Sequence, residues 1–259
     1  MPEMRRRTTA LSVAVLALLG AAAPAAATAA PSVLNAPLAA AGGSAVRPAL
    51  VDPHGHVLNS TSSNWAGYAA TGSKFTSVSA SWTQPAVSCS SSTTYSSFWV
   101  GLDGDGSNSV EQTGSEADCS GGRAVYSSWY EMYPAYPVNY SNTVKPGDHF
   151  TASVTSKGGG SFSLVLSDTT EGWSHTTTGS YSGAALASAE VIAEAPSSSS
   201  GVLPLANFGT ASFTGATANG QAIGNYSPDQ INMASGSTTK ASTSSLSSGE
   251  NFSVTWKHS

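Results

Sequence analysis

The chain has 259 residues, of which 10 are Lys or Arg and 15 are Asp or Glu, for a formal net charge of −5 at pH 7. From Ser60 onward the six bases Lys74, Arg123, Lys145, Lys157, Lys240 and Lys257 stand against thirteen acids, a net of −7. This balance excludes a basic patch for nucleic acid or an anionic membrane. It also leaves few cations to repel one another once the carboxylates are protonated, which suits work in acid.

In chain order, Arg5, Arg6 and Arg7 precede an apolar run from Leu11 to Ala23, and Ala27-Thr28-Ala29 offers a small-residue cleavage site. That is the layout of a secretory signal peptide over residues 1–29. The run falls short of the ~20 residues that a spanning helix needs, so a membrane anchor is the weaker reading. The expected destination is the cell exterior, with no membrane association after cleavage. Residues 30–59, rich in Ala and Pro, read as a propeptide or a disordered lead-in. Residues 60–259 are long enough for one domain with a substantial core.

Within that domain Val78, Ala80 and Trp82 alternate with serines. Phe98, Val100 and Leu102 oppose Trp99 and Asp103 if Tyr95 to Asp103 is one strand. Gln112 shares a face with Val110 and Gly114. On a strand from Val125 to Tyr133, Trp129, Glu131 and Tyr133 face one way, and Tyr126, Tyr130 and Met132 the other. Further alternating runs lie at Phe150–Val154, Phe162–Leu166 and Phe252–Trp256. Glu190, Ile192 and Glu194 alternate with Ala189, Val191 and Ala193. Lys145-Pro146-Gly147-Asp148, Gly158-Gly159-Gly160 and Asn219-Gly220 mark turns, and the SSSSG run at 197–201 reads as a surface loop. Ala184 to Ala195 comes nearest to a helical period but stays short. Many short strands cut by Gly, Pro and Ser predict an all-β sandwich or barrel.

Cys89 and Cys119 are the two cysteines. In an exported chain a single bridge is the default, with two free thiols as the alternative. The cysteines and histidines show no metal-ligand spacing, so neither a metal nor another cofactor is expected.

The segment from Trp99 to Pro134 gathers Trp99, Trp129, Tyr126, Tyr130 and Tyr133 beside Asp103, Gln112, Glu116 and Glu131. Rings and carboxylates concentrated in an otherwise Ser-, Thr- and Gly-rich chain point to a cleft, and tryptophan beside a carboxylate raises its pKa. No GxSxG elbow and no pair of Asp-Thr/Ser-Gly loops occurs. On residue types alone a glycosidase pair drawn from Asp103, Glu131 and Glu190 stays open. So does a lectin-like sandwich stacking sugars on Trp99, Trp129 and Tyr133.

The order NWAG (Asn64–Gly67), SWTQP (Ser81–Pro85), WVGLDG (Trp99–Gly104), EQTG (Glu111–Gly114), WYEMYP (Trp129–Pro134), SAEVIAEAP (Ser188–Pro196) and LANFGTASFTGA (Leu205–Ala216) resembles the glutamic peptidases, the eqolisin family. The resemblance covers about residues 60–259. It implies a two-sheet antiparallel sandwich of concanavalin-A type and a monomeric, secreted acid endopeptidase acting on polypeptides with a Gln/Glu pair. By position those roles fall on Gln112 and Glu190. Glu190 is expected as the general base that activates water, and Gln112 as the amide that stabilises the oxyanion. Trp99, Asp103 and Glu131 are expected to support the pair, with Asp103 and Glu131 orienting Gln112. Trp129 and Tyr133 are expected to form part of a substrate wall. Asn207 and Glu116 stand where members of the family commonly carry Asp.

Overall fold

The computed structural model describes residues 50–51 and 57–259. The signal segment and most of the lead-in lie outside the described residues. The principal strands are β1 (Val57–Ser62), β2 (Trp65–Ala70), β3 (Ser77–Thr83), β4 (Ser97–Leu102), β5 (Val110–Ser120), β6 (Arg123–Tyr133) and β7 (His149–Gly158). They continue with β8 (Ser161–Asp168), β9 (Trp173–Ser180), β10 (Ala189–Glu194), β11 (Thr210–Ala218), β12 (Asp229–Ser235), β13 (Thr238–Thr243) and β14 (Phe252–Trp256).

Ladder pairing sorts these strands into two layers. One sheet runs β1–β12–β2–β10–β4–β5–β6. The other runs β9–β8–β7–β3–β11–β14–β13. The β12–β13 hairpin belongs to both and joins them along one edge. All of these pairings are antiparallel except β1 with β12, which is parallel. The expected two-sheet antiparallel sandwich is therefore the fold.

The period-two alternation in the sequence becomes the partition between core and outer face. Tyr68, Val78, Trp82, Phe98, Val100, Leu102, Phe150, Leu164, Val191, Phe213 and Val254 pack between the sheets. Trp82 lies stacked on Phe150 with ring centroids 5.6 Å apart. Its indole N–H donates to Ser115 Oγ of the opposite sheet at 2.9 Å, so the one polar atom of this core ring is satisfied. Cys89 and Cys119 are bridged. Residues 184–188 are irregular and 189–194 form β10 with the expected alternation, Ala189, Val191 and Ala193 filling the core with period two. One local expectation resolves differently. The SSSSG run is partly ordered, since Ser197–Ser198 pairs with Gly201–Val202 in a small separate hairpin.

Candidate active site

The first sheet buries a second apolar cluster on its other face, built from Trp65, Ala69, Trp99, Val110, Trp129, Ile192 and Ile231, with Tyr133 and Leu203 packed against it. Alternation sends Phe98, Val100 and Leu102 inward and Trp99 outward, as the sequence predicts. The same parity holds on β6, where Trp129 and Tyr133 join the outer cluster while Tyr126, Tyr130 and Met132 pack on the core.

Three rows of register partners cross this face. In the first, Glu131 opposes Gln112, Gln112 opposes Gly101, Gly101 opposes Glu190, Glu190 opposes Ala69, and Ala69 opposes Asp229. In the second, Trp129, Gly114, Trp99, Ile192, Gly67 and Ile231 follow one another in the same way. In the third, Ser127, Glu116, Ser97, Glu194 and Trp65 do so. Polar groups thus flank a central strip of rings and glycines. Gly114 makes the strip possible, because a Cβ there would lie 2.6 Å from the Trp99 Cβ and 2.2 Å from Phe98 O.

Gln112 and Glu190 stand two strands apart, with only the hydrogen of Gly101 between them. A Cβ on Gly101 would come within 3.2 Å of the Gln112 Cβ and 2.9 Å of the Trp99 ring. Gln112 Nε2 donates to Glu131 Oε2 at 2.6 Å, while Gln112 Oε1 and both Glu190 oxygens close no hydrogen bond. Gln112 is 1% and Glu190 0% exposed. Burial pushes the Glu190 carboxyl well above the usual carboxylate range. The Ser188 hydroxyl beside it offsets part of that, and the charges of Asp105 and Asp103 add to it.

Asp103 requires a correction. It does not extend the face of Trp99 and does not reach Gln112. Strand β4 ends at Leu102, and Asp103 adopts φ 65°, which turns its side chain back. Its carboxylate accepts the Leu186 and Ala187 amides at 2.9 and 2.7 Å, and so holds the segment leading into β10. Asp103 therefore orients the strand that carries Glu190, and Glu131 alone of the two acids holds Gln112.

Glu194 shares the outer face of β10 with Glu190 and Ile192. It lies four residues beyond Glu190, fully buried, and accepts Trp99 Nε1 at 2.8 Å and Asn64 Nδ2 at 3.1 Å. Burial raises its pKa to about 8, partly offset by the Trp99, Trp65 and Asn64 donors. Glu116 is raised to about 7 by burial, offset by the Ser127 hydroxyl bonded to it at 2.7 Å. Asp118, on the same strand face, is raised well above its ordinary value by burial and then by the charge of Glu116. The signal available in the sequence was the spacing E-x-x-x-E within SAEVIAEAP, which fixes a shared face on a strand. Among the described residues no three His, Cys, Asp or Glu side chains converge as metal ligands would.

The model of the peptidase A4 family matches residues 63–256, which include every residue of the three rows. The chain belongs to the peptidase A4 family. As a member of that family it is 35% identical over 133 residues to aspergillopepsin-2 of Aspergillus niger, an alignment spanning 49% of this chain and 47%, about half, of that relative's length. Its fold is similar to scytalido-glutamic peptidase bound to a transition-state analogue inhibitor, with TM-score 0.66 and 29% identity over 75% of this chain and 98% of that one. It is also similar to SCP-B, described as an eqolisin in complex with the tripeptide Ala-Ile-His, with TM-score 0.62 and 28% identity over 75% of this chain and 98% of that one. Aspergilloglutamic peptidase from Aspergillus niger aligns with TM-score 0.58 and 29% identity, over 63% of this chain and 99% of that one.

Proposed function

We propose that this A4 family member is an exported acid endopeptidase in which Gln112 and Glu190 hydrolyse the peptide bond without a cofactor. The observation that carries the reading is the first row, in which an amide with a free carbonyl and an unbonded carboxyl flank a glycine-sized gap. The Arg5–Arg7 and Leu11–Ala23 pattern and the Cys89–Cys119 bridge support export.

The resting proton sets the order of steps. Buried Glu190 holds its proton in acid, so it acts first as an acid and, once it has given up that proton, as the general base expected of it. It gives that proton to the scissile carbonyl oxygen as water adds to the carbon, and its carboxylate takes the proton that the water loses. The C–N bond then breaks as Glu190 protonates the leaving nitrogen and recovers the hydroxyl proton of the diol. Gln112 Nε2 carries two hydrogens; Glu131 takes one and the other is available to the scissile carbonyl oxygen as negative charge develops on it ahead of the proton, while Oε1 accepts from the water. An amide does this without titrating, so the site keeps its donor throughout the acid range.

One observation favours a second reading of the carboxyl. Glu194 holds two N–H donors, which stabilise a carboxylate, whereas Glu190 closes no hydrogen bond. The test is to express the full chain, assay it at pH 3–4 on denatured casein and separately on polysaccharide, and compare Gln112→Ala, Glu190→Gln and Glu194→Gln. Loss of about 100-fold or more in kcat for Gln112→Ala and Glu190→Gln, with the fold intact, is expected. A Glu190→Gln variant at near wild-type rate beside an inert Glu194→Gln variant moves the proton shuttle to Glu194. Sugar release without peptide release overturns the whole assignment in favour of a glycosidase.

A further inference from the structure

The first row does not end at Glu190. Ala69 follows it, and then Asp229 of β12, so Asp229 stands as far from Glu190 on one side as Gln112 does on the other, about 9.5 Å at the usual strand spacing. Its side chain shares the face of Ile231, a member of the outer cluster. The Ser60 hydroxyl of β1 donates to Oδ2 and the Ser60 backbone also acts on the carboxyl, Oδ1 has no side-chain partner, and the residue is only 4% exposed. Asp105, in the loop after β4, lies near enough to act electrostatically on both Asp229 and Glu190. The groups around Asp229 are thus Ser60 from β1, Ala69 from β2, Glu190 from β10 and Asp105. None is cationic, and no Lys or Arg of the described residues occurs in the three rows. Arg123 has the parity of this face but lies at the opposite end of β6, eight residues from Glu131.

A carboxyl oxygen in a buried row without a counter-ion is a position where a cation brought by a ligand would complete an ion pair once the group ionises. Gln112, Glu190 and Asp229 are equally closed and lie in one row across the same face, so a polypeptide laid along that row would reach all three. We propose that Asp229, assisted by Asp105, is a specificity-determining residue that receives an ammonium or guanidinium side chain of the polypeptide substrate, away from the scissile bond. This rests on the peptidase reading of the same row. The carboxyl is raised by burial to about 6, so it is mostly protonated at pH 4 and half ionised at pH 6. Discrimination for a cation therefore grows over that interval.

The experiment uses the full chain and pairs of peptides that differ only by Lys against norleucine, moved through three positions on each side of the cleaved bond. The ratio of kcat/KM within each pair is read at pH 4 and pH 6. At one position the wild type is expected to favour Lys by on the order of tenfold, more at pH 6 than at pH 4. In Asp229→Asn the ratio falls to about one, whereas in Ser60→Ala, which leaves both carboxyl oxygens in place, it persists. If Asp229→Asn fails to fold, Asp105→Asn is expected to lower the ratio by itself. A wild type without Lys preference at any position, or a preference unchanged in Asp229→Asn, overturns the proposal. If the wild type cleaves none of the peptides, the peptidase reading fails; binding of the same intact peptides by calorimetry then decides this one. Tighter binding of the Lys peptide that vanishes in Asp229→Asn supports it, and equal binding overturns it.

Discussion

Gln112 and Glu131 are direct partners in the β5–β6 ladder, and Gln112 Nε2 donates to Glu131 Oε2 at 2.6 Å. This contact takes the nitrogen end of the amide and so fixes which way Gln112 points. It leaves Oε1 without a partner in the protein. Replacing Glu131 by Ala frees the amide to rotate, and kcat is expected to fall roughly ten- to a hundredfold with KM changed less. Glu131→Gln keeps one acceptor oxygen and is expected to recover much of the loss. Steady-state kinetics on both variants, with melting temperatures alongside, separates this from simple destabilisation. A drop in melting temperature with kcat unchanged would show that Glu131 only holds the strands together.

The gap itself can be filled. Gly101 has ordinary backbone torsions, so Gly101→Ala tests space rather than strain. The new methyl would meet the Trp99 ring at 2.9 Å, Val110 Cγ1 at 3.1 Å and the Gln112 Cβ at 3.2 Å. Overpacking of this kind costs about 1–3 kcal/mol. The expected result is a protein that still melts cooperatively but has lost nearly all peptide hydrolysis, because the methyl stands where the water must sit. Gly101→Ala with near wild-type kcat would show that Gln112 and Glu190 do not share a water there.

The bridge between Cys89 and Cys119 closes a loop with a sequence separation of 30. On the chain-entropy estimate that contributes about 3–4 kcal/mol. The Cys89→Ser/Cys119→Ser double variant is expected to unfold at lower denaturant concentration, with a steeper transition because the unfolded chain, freed of the cross-link, exposes more surface. Chemical denaturation at pH 4, where thiol exchange is slow, measures it.

What the sequence revealed and concealed follows from the range of the interactions. Faces of strands depend on neighbours two residues away, so Trp99, Gln112, Trp129, Glu131, Tyr133 and Glu190 could be placed by alternation. Asp103 is not placed this way: one residue at φ 65° breaks the alternation, and the signal for it is the Asp-Gly pair at 103–104 rather than the pattern of the strand. The donors to Glu194 lie 95 and 130 residues away in the chain, and Asp229 enters the row only through its pairing with β2. Register across a sheet is set by the packing of whole strands, which local pattern does not encode. The family resemblance supplied the pairing of EQTG with SAEVIAEAP, but only the ladder shows that Gly101 lies between Gln112 and Glu190.

The buried acids predict how stability responds to pH. Burial raises Glu116 to about 7 and Glu111 and Glu194 to about 8, from an ordinary value of 4.5. The unfolded chain releases these protons near 4.5, whereas the folded protein keeps them until 7 or 8. Folding therefore holds more protons than unfolding does across that interval, and stability declines as pH rises through it. The contribution is fully present below about pH 4.5 and is lost as pH climbs past 7 to 8. Melting temperature measured from pH 3 to 8.5 is expected to be highest at the acid end and to fall steadily from about pH 4.5. Glu116→Gln, which keeps an acceptor for the Ser127 hydroxyl, removes one of the titrating groups and should flatten the part of the curve below pH 7. A melting temperature that stays level or rises between pH 4.5 and 8 would mean that these carboxyls are ionised in the folded protein.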